Sequence, residues 1–184
     1  MALIDFLSSN DLNFILAQVA GLITAVLAMV SVQLKDMKNI LIMGVVTNAL
    51  TVTNYWLLGE MSGAWICIIA IVQTLWIYHY TKNDRRFPKR LNYIFMVLYT
   101  AVVILTFGKA VDVLAWIAAI AFACAVVQIE TSRYRLIIIV NSLSWVVYDL
   151  LTRSYTMAIT HSLIFCSVVI AIIRLDRKQI VRDK

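Results

Sequence analysis

The sequence predicts an all-α integral membrane protein. Its seven transmembrane helices follow a 3+1+3 plan, in which one linker helix joins two parallel repeats of three-helix bundles. Three observations predict it. Of the 184 residues, 62% are hydrophobic and 14% charged, whereas soluble domains hold nearly half and about a quarter. The charges sit in short clusters, and the apolar stretches between them supply the roughly 20 residues a bilayer-crossing helix needs, several times over. Finally, "NALTVTNYWLLG" from Asn48 matches "NSLSWVVYDLLT" from Asn141, at Asn48/Asn141, Leu50/Leu143, Tyr55/Tyr148 and Leu57/Leu150, with a constant offset of 93 residues.

The first helix is expected over 13–33, stopped by the charged "LKDMKN". The second, 37–58, ends at "GEMSG", and the third, 61–80, at "TKNDRRFPKR", the one long polar break and the site of the sole proline, Pro88. A fourth, 91–107, runs to "GKAVD", and a fifth, 111–129, to "IETSRYR". The sixth, 134–152, is closed by "TRS", and the seventh, 154–174, leads into the basic tail "RLDRKQIVRDK". No window alternates with period two, which argues against a barrel. The division is 1–81 for the first repeat, 82–110 for the cytoplasmic linker and its helix, and 111–184 for the second repeat with its tail. The start, "MALIDFLSSNDLN", lacks a basic n-region and carries Asp5 and Asp11. The chain is therefore expected to be mature from Met1, with its first span as its own insertion signal.

Orientation follows from the basic residues. Fourteen of the sixteen fall on one side of such a plan: Lys35, Lys38, Lys82, Arg85, Arg86, Lys89, Arg90, Arg133, Arg135 and five in the tail. Lys109 and Arg153 fall on the other, beside Asp5, Asp11, Glu60 and Asp112. Because Lys and Arg stay on the cytoplasmic side of short loops, the N-terminus is expected outside and the C-terminus inside. The net charge of +6 is then topology plus attraction to anionic lipid, and implies no nucleic-acid partner.

The internal match extends. Ile66 falls on Ile159, and "AMVSVQLKD" aligns with "ACAVVQIET", placing Gln33 over Gln128. One linker helix between two three-helix units leaves both the same way up, a parallel repeat about an axis along the membrane normal. A glutamine ending the first helix of each unit, with this plan, resembles the SWEET/PQ-loop (MtN3-like) superfamily. Within it, "VSVQLKDMKNILIMGVVTNAL" followed by "YWLLGEMSGAW" is most similar to the bacterial YgjV-type inner-membrane proteins, and PnuC-type vitamin transporters share the fold. The resemblance covers nearly the whole chain and implies a bacterial inner-membrane location. Where the superfamily has Pro-Gln, this chain has Val32-Gln33 and Val127-Gln128, and no membrane helix contains proline. Gly21 and Gly44 are the residues expected to loosen the first unit.

Polar side chains in hydrocarbon need a partner or a hydrated cavity. Asn48 lies near the midplane, roughly 16 Å into its helix, and Asn141 roughly 10 Å into its own. Asn141, Ser144, Trp145 and Tyr148 share one helical face, as do Asn48, Thr51 and Tyr55. From these stripes Asn48, Thr51, Asn141, Ser144, Trp145 and Tyr148, with Gln73 midway along the third helix, are the candidate substrate-binding residues. Amides would hydrogen-bond a neutral solute and Trp145 would stack on its ring. The alternative is interhelical bonding by Asn, Ser and Thr, worth roughly 0.6–2 kcal/mol each. His161, of a residue type that changes charge near neutral pH, is a further candidate at the pathway edge or simply packed. Gln18 and Thr24 are open in the same way. Asp149 reads as an i, i+4 partner of Arg153. Cys67, Cys124 and Cys166 lie in apolar stretches without metal-ligand spacing and read as buried free thiols. No nucleophile, phosphate-loop or metal motif is present, so neither an enzyme nor a cofactor is expected.

The expected function is movement of a small neutral solute of sugar, nucleoside or vitamin-precursor size, by alternating access between the two units. Absence of a central carboxylate favours facilitated diffusion. The competing class is a non-transporting scaffold or sensor. Expected partners are the solute, the lipid bilayer and a second copy in a homo-oligomer.

Overall fold

The computed structural model describes residues 9–33, 37–83, 85, 87–128 and 131–173. Among them are seven helices and no strand: α1 Ser9–Gln33, α2 Met37–Leu57, α3 Met61–Lys82, α4 Lys89–Thr106, α5 Asp112–Val126, α6 Thr131–Leu151 and α7 Tyr155–Ala171. Every end falls within four residues of its expected place. The basic tail, Lys35, Arg86 and Asp5 lie outside the described residues, as does the side chain of Gln33.

At 15 to 25 residues the helices are about 22–37 Å long, against a hydrocarbon core of about 30 Å. Helices α3 and α4 are long and apolar enough to cross a membrane; the apolar stretches of α1, α2, α5 and α7 are shorter. Residue placement is that of a chain whose solvent is lipid. Leu22, Val97, Ile104, Leu105 and Leu151 face outward, while Asn54, Gln73, Ser142, Asp149 and Ser154 are fully buried. An apolar exterior around a polar interior would aggregate in water. Trp56, Trp65 and Trp76 are exposed near helix ends, as an interfacial belt requires. Of the three free cysteines only Cys67 is buried; Cys124 is half-buried and Cys166 exposed, which corrects the expectation for those two.

Two turns explain how neighbouring helices reverse. After α2, Gly59 takes φ 74°, and the Glu60 N–H bonds the Tyr55 carbonyl at 2.9 Å. After α6, Arg153 takes φ 61°, and the Ser154 N–H bonds the Asp149 carbonyl at 2.8 Å. Both are left-handed helix closures, and the arginine adopts at a cost what glycine adopts freely. The Gln18 side chain, donating to the Arg153 carbonyl at 3.2 Å, helps hold it there.

Helix α2 lies between α1 and α3, and α6 between α5 and α7; α7 packs on α1, α3 on α5, and α4 covers the α3–α5 seam. Each contact in the first group of three thus has a counterpart in the second. For the second helix of each unit and the turn after it the spacing is 94 residues: α2 and α6 begin at 37 and 131 and end at 57 and 151, and α3 and α7 begin at 61 and 155, whereas α1 and α5 end at 33 and 126. The sequence match at 93 is one residue out of this register, a rotation of about 100° on a helix. Asn141 is therefore level with Thr47, and Asn48 with Ser142.

Gly21 is a contact rather than a hinge. A Cβ there would stand 2.0 Å from Thr156 Oγ1 and 2.8 Å from its Cβ, so only glycine lets α1 approach α7 this closely. The end carrying the α2–α3 and α6–α7 turns is called here the Glu60 end; the opposite one is the Pro88 end.

Candidate functional site

Midway along the bundle is a cavity of about 160 Å³ bounded by α1, α2, α3, α4, α5, α6 and α7. Asn48 and Asn141 both line it, with Thr24, Thr47, Thr51, Thr160, Trp145 and His161. Asn48 is the twelfth residue of α2 and Asn141 the eleventh of α6. Because α6 starts three residues earlier than expected, Asn141 is as deep as Asn48 rather than shallower.

The amide and hydroxyl donors of the lining are engaged. Asn48 Nδ2 donates to the Gly44 carbonyl at 2.8 Å, within its own helix. Asn141 Nδ2 donates to the Ala118 carbonyl of α5 at 2.7 Å. The hydroxyls of Thr24, Thr47, Thr51 and Thr160 each donate to a carbonyl one turn back, at 2.8 to 3.1 Å. Each hydroxyl keeps lone pairs, and each amide keeps its oxygen, which no described residue bonds. Buried side-chain nitrogen and oxygen atoms without any partner are limited, among the described residues, to Ser142 Oγ and Tyr148 Oη.

Toward the Glu60 end the cavity is closed by aromatic rings and one carboxylate. Trp145 is stacked between Tyr55 and His161, with ring centroids 5.6 and 5.7 Å away and planes 18° and 14° apart. Tyr148 meets Tyr55 and Trp145 edge-on. Behind the stack, fully buried Asp149 accepts from Tyr55 Oη at 2.6 Å and meets His161 Nδ1 at 2.6 Å. One carboxylate thus joins α2, α6 and α7. Further bonds gather at this end, two of them between the halves (Ser154–Asn54 and Thr156–Gln18) and one within the first half (Asn54–Ala17). Ser154 Oγ donates to Asn54 Oδ1 at 2.6 Å, Asn54 Nδ2 to the Ala17 carbonyl at 2.6 Å, and Thr156 Oγ1 to Gln18 Oε1 at 3.0 Å.

Five of the eight expected site residues, Asn48, Thr51, Asn141, Trp145 and His161, come together around the cavity. Thr24 joins them, and Gln18 does not. Gln73 is elsewhere. It is fully buried, donating to Asn92 Oδ1 at 3.0 Å and accepting from Tyr99 Oη at 2.7 Å. Asn92 in turn donates to the Ala123 carbonyl, so the chain of bonds fastens α4 across the α3–α5 seam. Ser144 and Tyr148 are buried beside the cavity rather than on its wall, because the shared helical face is wider than the strip that reaches the opening. Asp149 corrects the sequence reading most. Its partners are Tyr55 and His161, not Arg153, whose backbone turns out of the helix at its positive φ. A carboxylate in an apolar helix was the available signal; the partner four residues on concealed it.

A family model described as bacterial inner membrane protein, Imp-YgjV, matches residues 15–179. No curated protein matches the chain, and no solved structure does.

Proposed function

Because the chain belongs to the Imp-YgjV family of bacterial inner membrane proteins, we propose that it carries a small neutral solute across that membrane, through the cavity between its two three-helix units. The observation that carries this reading is the cavity itself, at mid-bundle, with asparagines from both units on its wall. At about 160 Å³ it is close to the cavity of about 150 Å³ that holds benzene in an engineered protein, so it suits a solute of one ring. Its unengaged acceptors favour a donor-rich solute such as a sugar; the ring faces of Trp145, expected to stack on the solute, are instead taken by Tyr55 and His161. Vitamin-precursor or nucleoside cargo would require the walls to move apart.

The paired helix contacts and the 94-residue spacing support a parallel 3+1+3 repeat and a place in the SWEET/PQ-loop superfamily. Lys82, Arg85, Lys89, Arg90 and Arg133 cluster toward the Pro88 end, which this reading puts in the cytoplasm, leaving both termini where the positive-inside rule expects them. The reading assigns no catalysis, cofactor or nucleic-acid partner. A scaffold or sensor role is favoured by one observation: each asparagine bonds a carbonyl of its own unit. Counterflow into proteoliposomes separates the two, using radiolabelled D-glucose, D-xylose and uridine. Exchange of at least one above protein-free liposomes is expected. None exceeding that background would discard transport and leave the scaffold.

A further inference from the structure

The pair Asp149 and His161 is not needed to recognise a neutral solute, yet it is built into the closed end of the cavity. Asp149 is fully buried and His161 keeps 14% of its side chain exposed, on the cavity wall. The imidazole therefore stands between the carboxylate and the cavity. In the 94-residue register Asp149 corresponds to Tyr55 and His161 to Cys67. The Tyr55–Asp149 bond thus joins equivalent positions of the two units, where the units meet. The carboxylate–imidazole pair exists in the second unit alone, since its counterpart is Tyr55 with Cys67.

We propose that Asp149 and His161 form a proton site that latches the Glu60 end of the cavity, so that this chain moves its solute together with a proton. The inference rests on the transport reading for its cargo but not for its latch. With one proton between them the two side chains are net neutral, as carboxylate with imidazolium or as acid with imidazole. The groups facing them cannot replace that proton. Helix α2 brings the Tyr55 hydroxyl, α3 the Cys67 thiol, α6 Tyr148, and α1 the neutral Gln18 and Thr24. Nearby charges are engaged elsewhere: Glu60 with Lys109, and Asp112 with the backbone N–H groups of Gly108 and Lys109. Arg153 is exposed. Loss of the proton would leave an uncompensated, buried carboxylate behind the aromatic stack, a state that requires water. The deprotonated site therefore favours an open, hydrated Glu60 end. A proton arriving from external water binds between Asp149 and His161 and lets the Tyr55 bond and ring stack re-form. It leaves as the same proton, through His161 and the cavity, toward the Pro88 end. Closure takes up the proton and opening releases it, so closure is favoured at low pH and opening as pH rises.

The test uses a sulfonated, membrane-impermeant maleimide on right-side-out vesicles. The chain carries alanine at Cys67, Cys124 and Cys166 and the substitution Thr51→Cys, which lies on the cavity side of Tyr55, one turn away. Rates are divided by those of Ala110→Cys, an exposed position, which removes the pH dependence of the reagent, and the same Thr51→Cys thiol in the Asp149→Asn chain controls for its own ionisation. The normalised rate should rise at least five-fold from pH 6 to pH 9. With Asp149→Asn added it should stay slow at both, and with Tyr55→Phe added it should be fast at both. A rate indifferent to pH before either addition overturns the latch. In the same proteoliposomes used for counterflow, an outside-acid gradient should drive accumulation above equilibrium, reduced to equilibrium by a protonophore and blocked by Asp149→Asn, which keeps the Glu60 end closed. Solute that equilibrates but never accumulates overturns proton coupling while leaving transport intact. If no solute moves, transport fails, and the labelling result alone decides the latch.

Discussion

Replacing each asparagine by leucine should separate two side chains that the sequence treats as equals. Asn141 joins α6 to α5 through the Ala118 carbonyl, so Asn141→Leu removes an interhelical bond worth about 1 kcal/mol. For a chain of this size that lowers the melting temperature by about 2–4 °C. Asn48 donates only to Gly44 of its own helix. In a regular helix that carbonyl also receives the backbone N–H four residues on, so nothing is orphaned by Asn48→Leu. Leucine is moreover the better helix former, by a few tenths of a kcal/mol, so the melting temperature should hold or rise slightly. Both substitutions remove an amide oxygen from the cavity wall and should abolish solute counterflow. Thermal unfolding followed by intrinsic fluorescence in detergent, beside counterflow, measures both effects. Equal destabilisation by the two variants, or a larger loss at position 48, would refute the assignment of bonds. Undiminished counterflow in either variant would refute the assignment of that amide to the solute.

Gln73→Leu should be the more damaging change, because it strips partners from buried Asn92 and Tyr99. A loss of about 2–4 kcal/mol is expected, seen as a larger fall in melting temperature than for Asn141→Leu. Gly21→Ala places a methyl 2.0 Å from Thr156 Oγ1 and should cost about 1–3 kcal/mol. Thr156→Ala in the same chain should recover part of that in the same melting assay. Lys109→Ala should lower stability by about 1–3 kcal/mol, because the lysine is 61% exposed but its removal leaves Glu60, 8% exposed, without its cation. A cysteine at position 109 should label from outside and one at 86 from inside; the reverse pattern would invert the proposed topology.

What the sequence determined by itself is what local chemistry determines. Apolar length, charge clusters and turn residues set seven helices to within a few residues, because helix ends depend on which few side chains meet lipid or water. The same logic placed Asn48, Thr51, Asn141, Trp145 and His161 on inward faces, since polar groups in an apolar helix have few other places to go. The tertiary structure decided the rest. It set the register at 94 rather than 93, because equivalence is fixed by helix packing and turn closure, not by which letters coincide. Gln73 was drawn into a bond chain with Asn92 and Tyr99, partners supplied by the linker helix. Asp149 was turned away from Arg153 toward Tyr55, 94 residues distant, and His161. Local periodicity tells which face a side chain occupies; which neighbour it meets there depends on how separate helices are rotated and closed against one another. A buried carboxylate takes the partners that packing brings within reach.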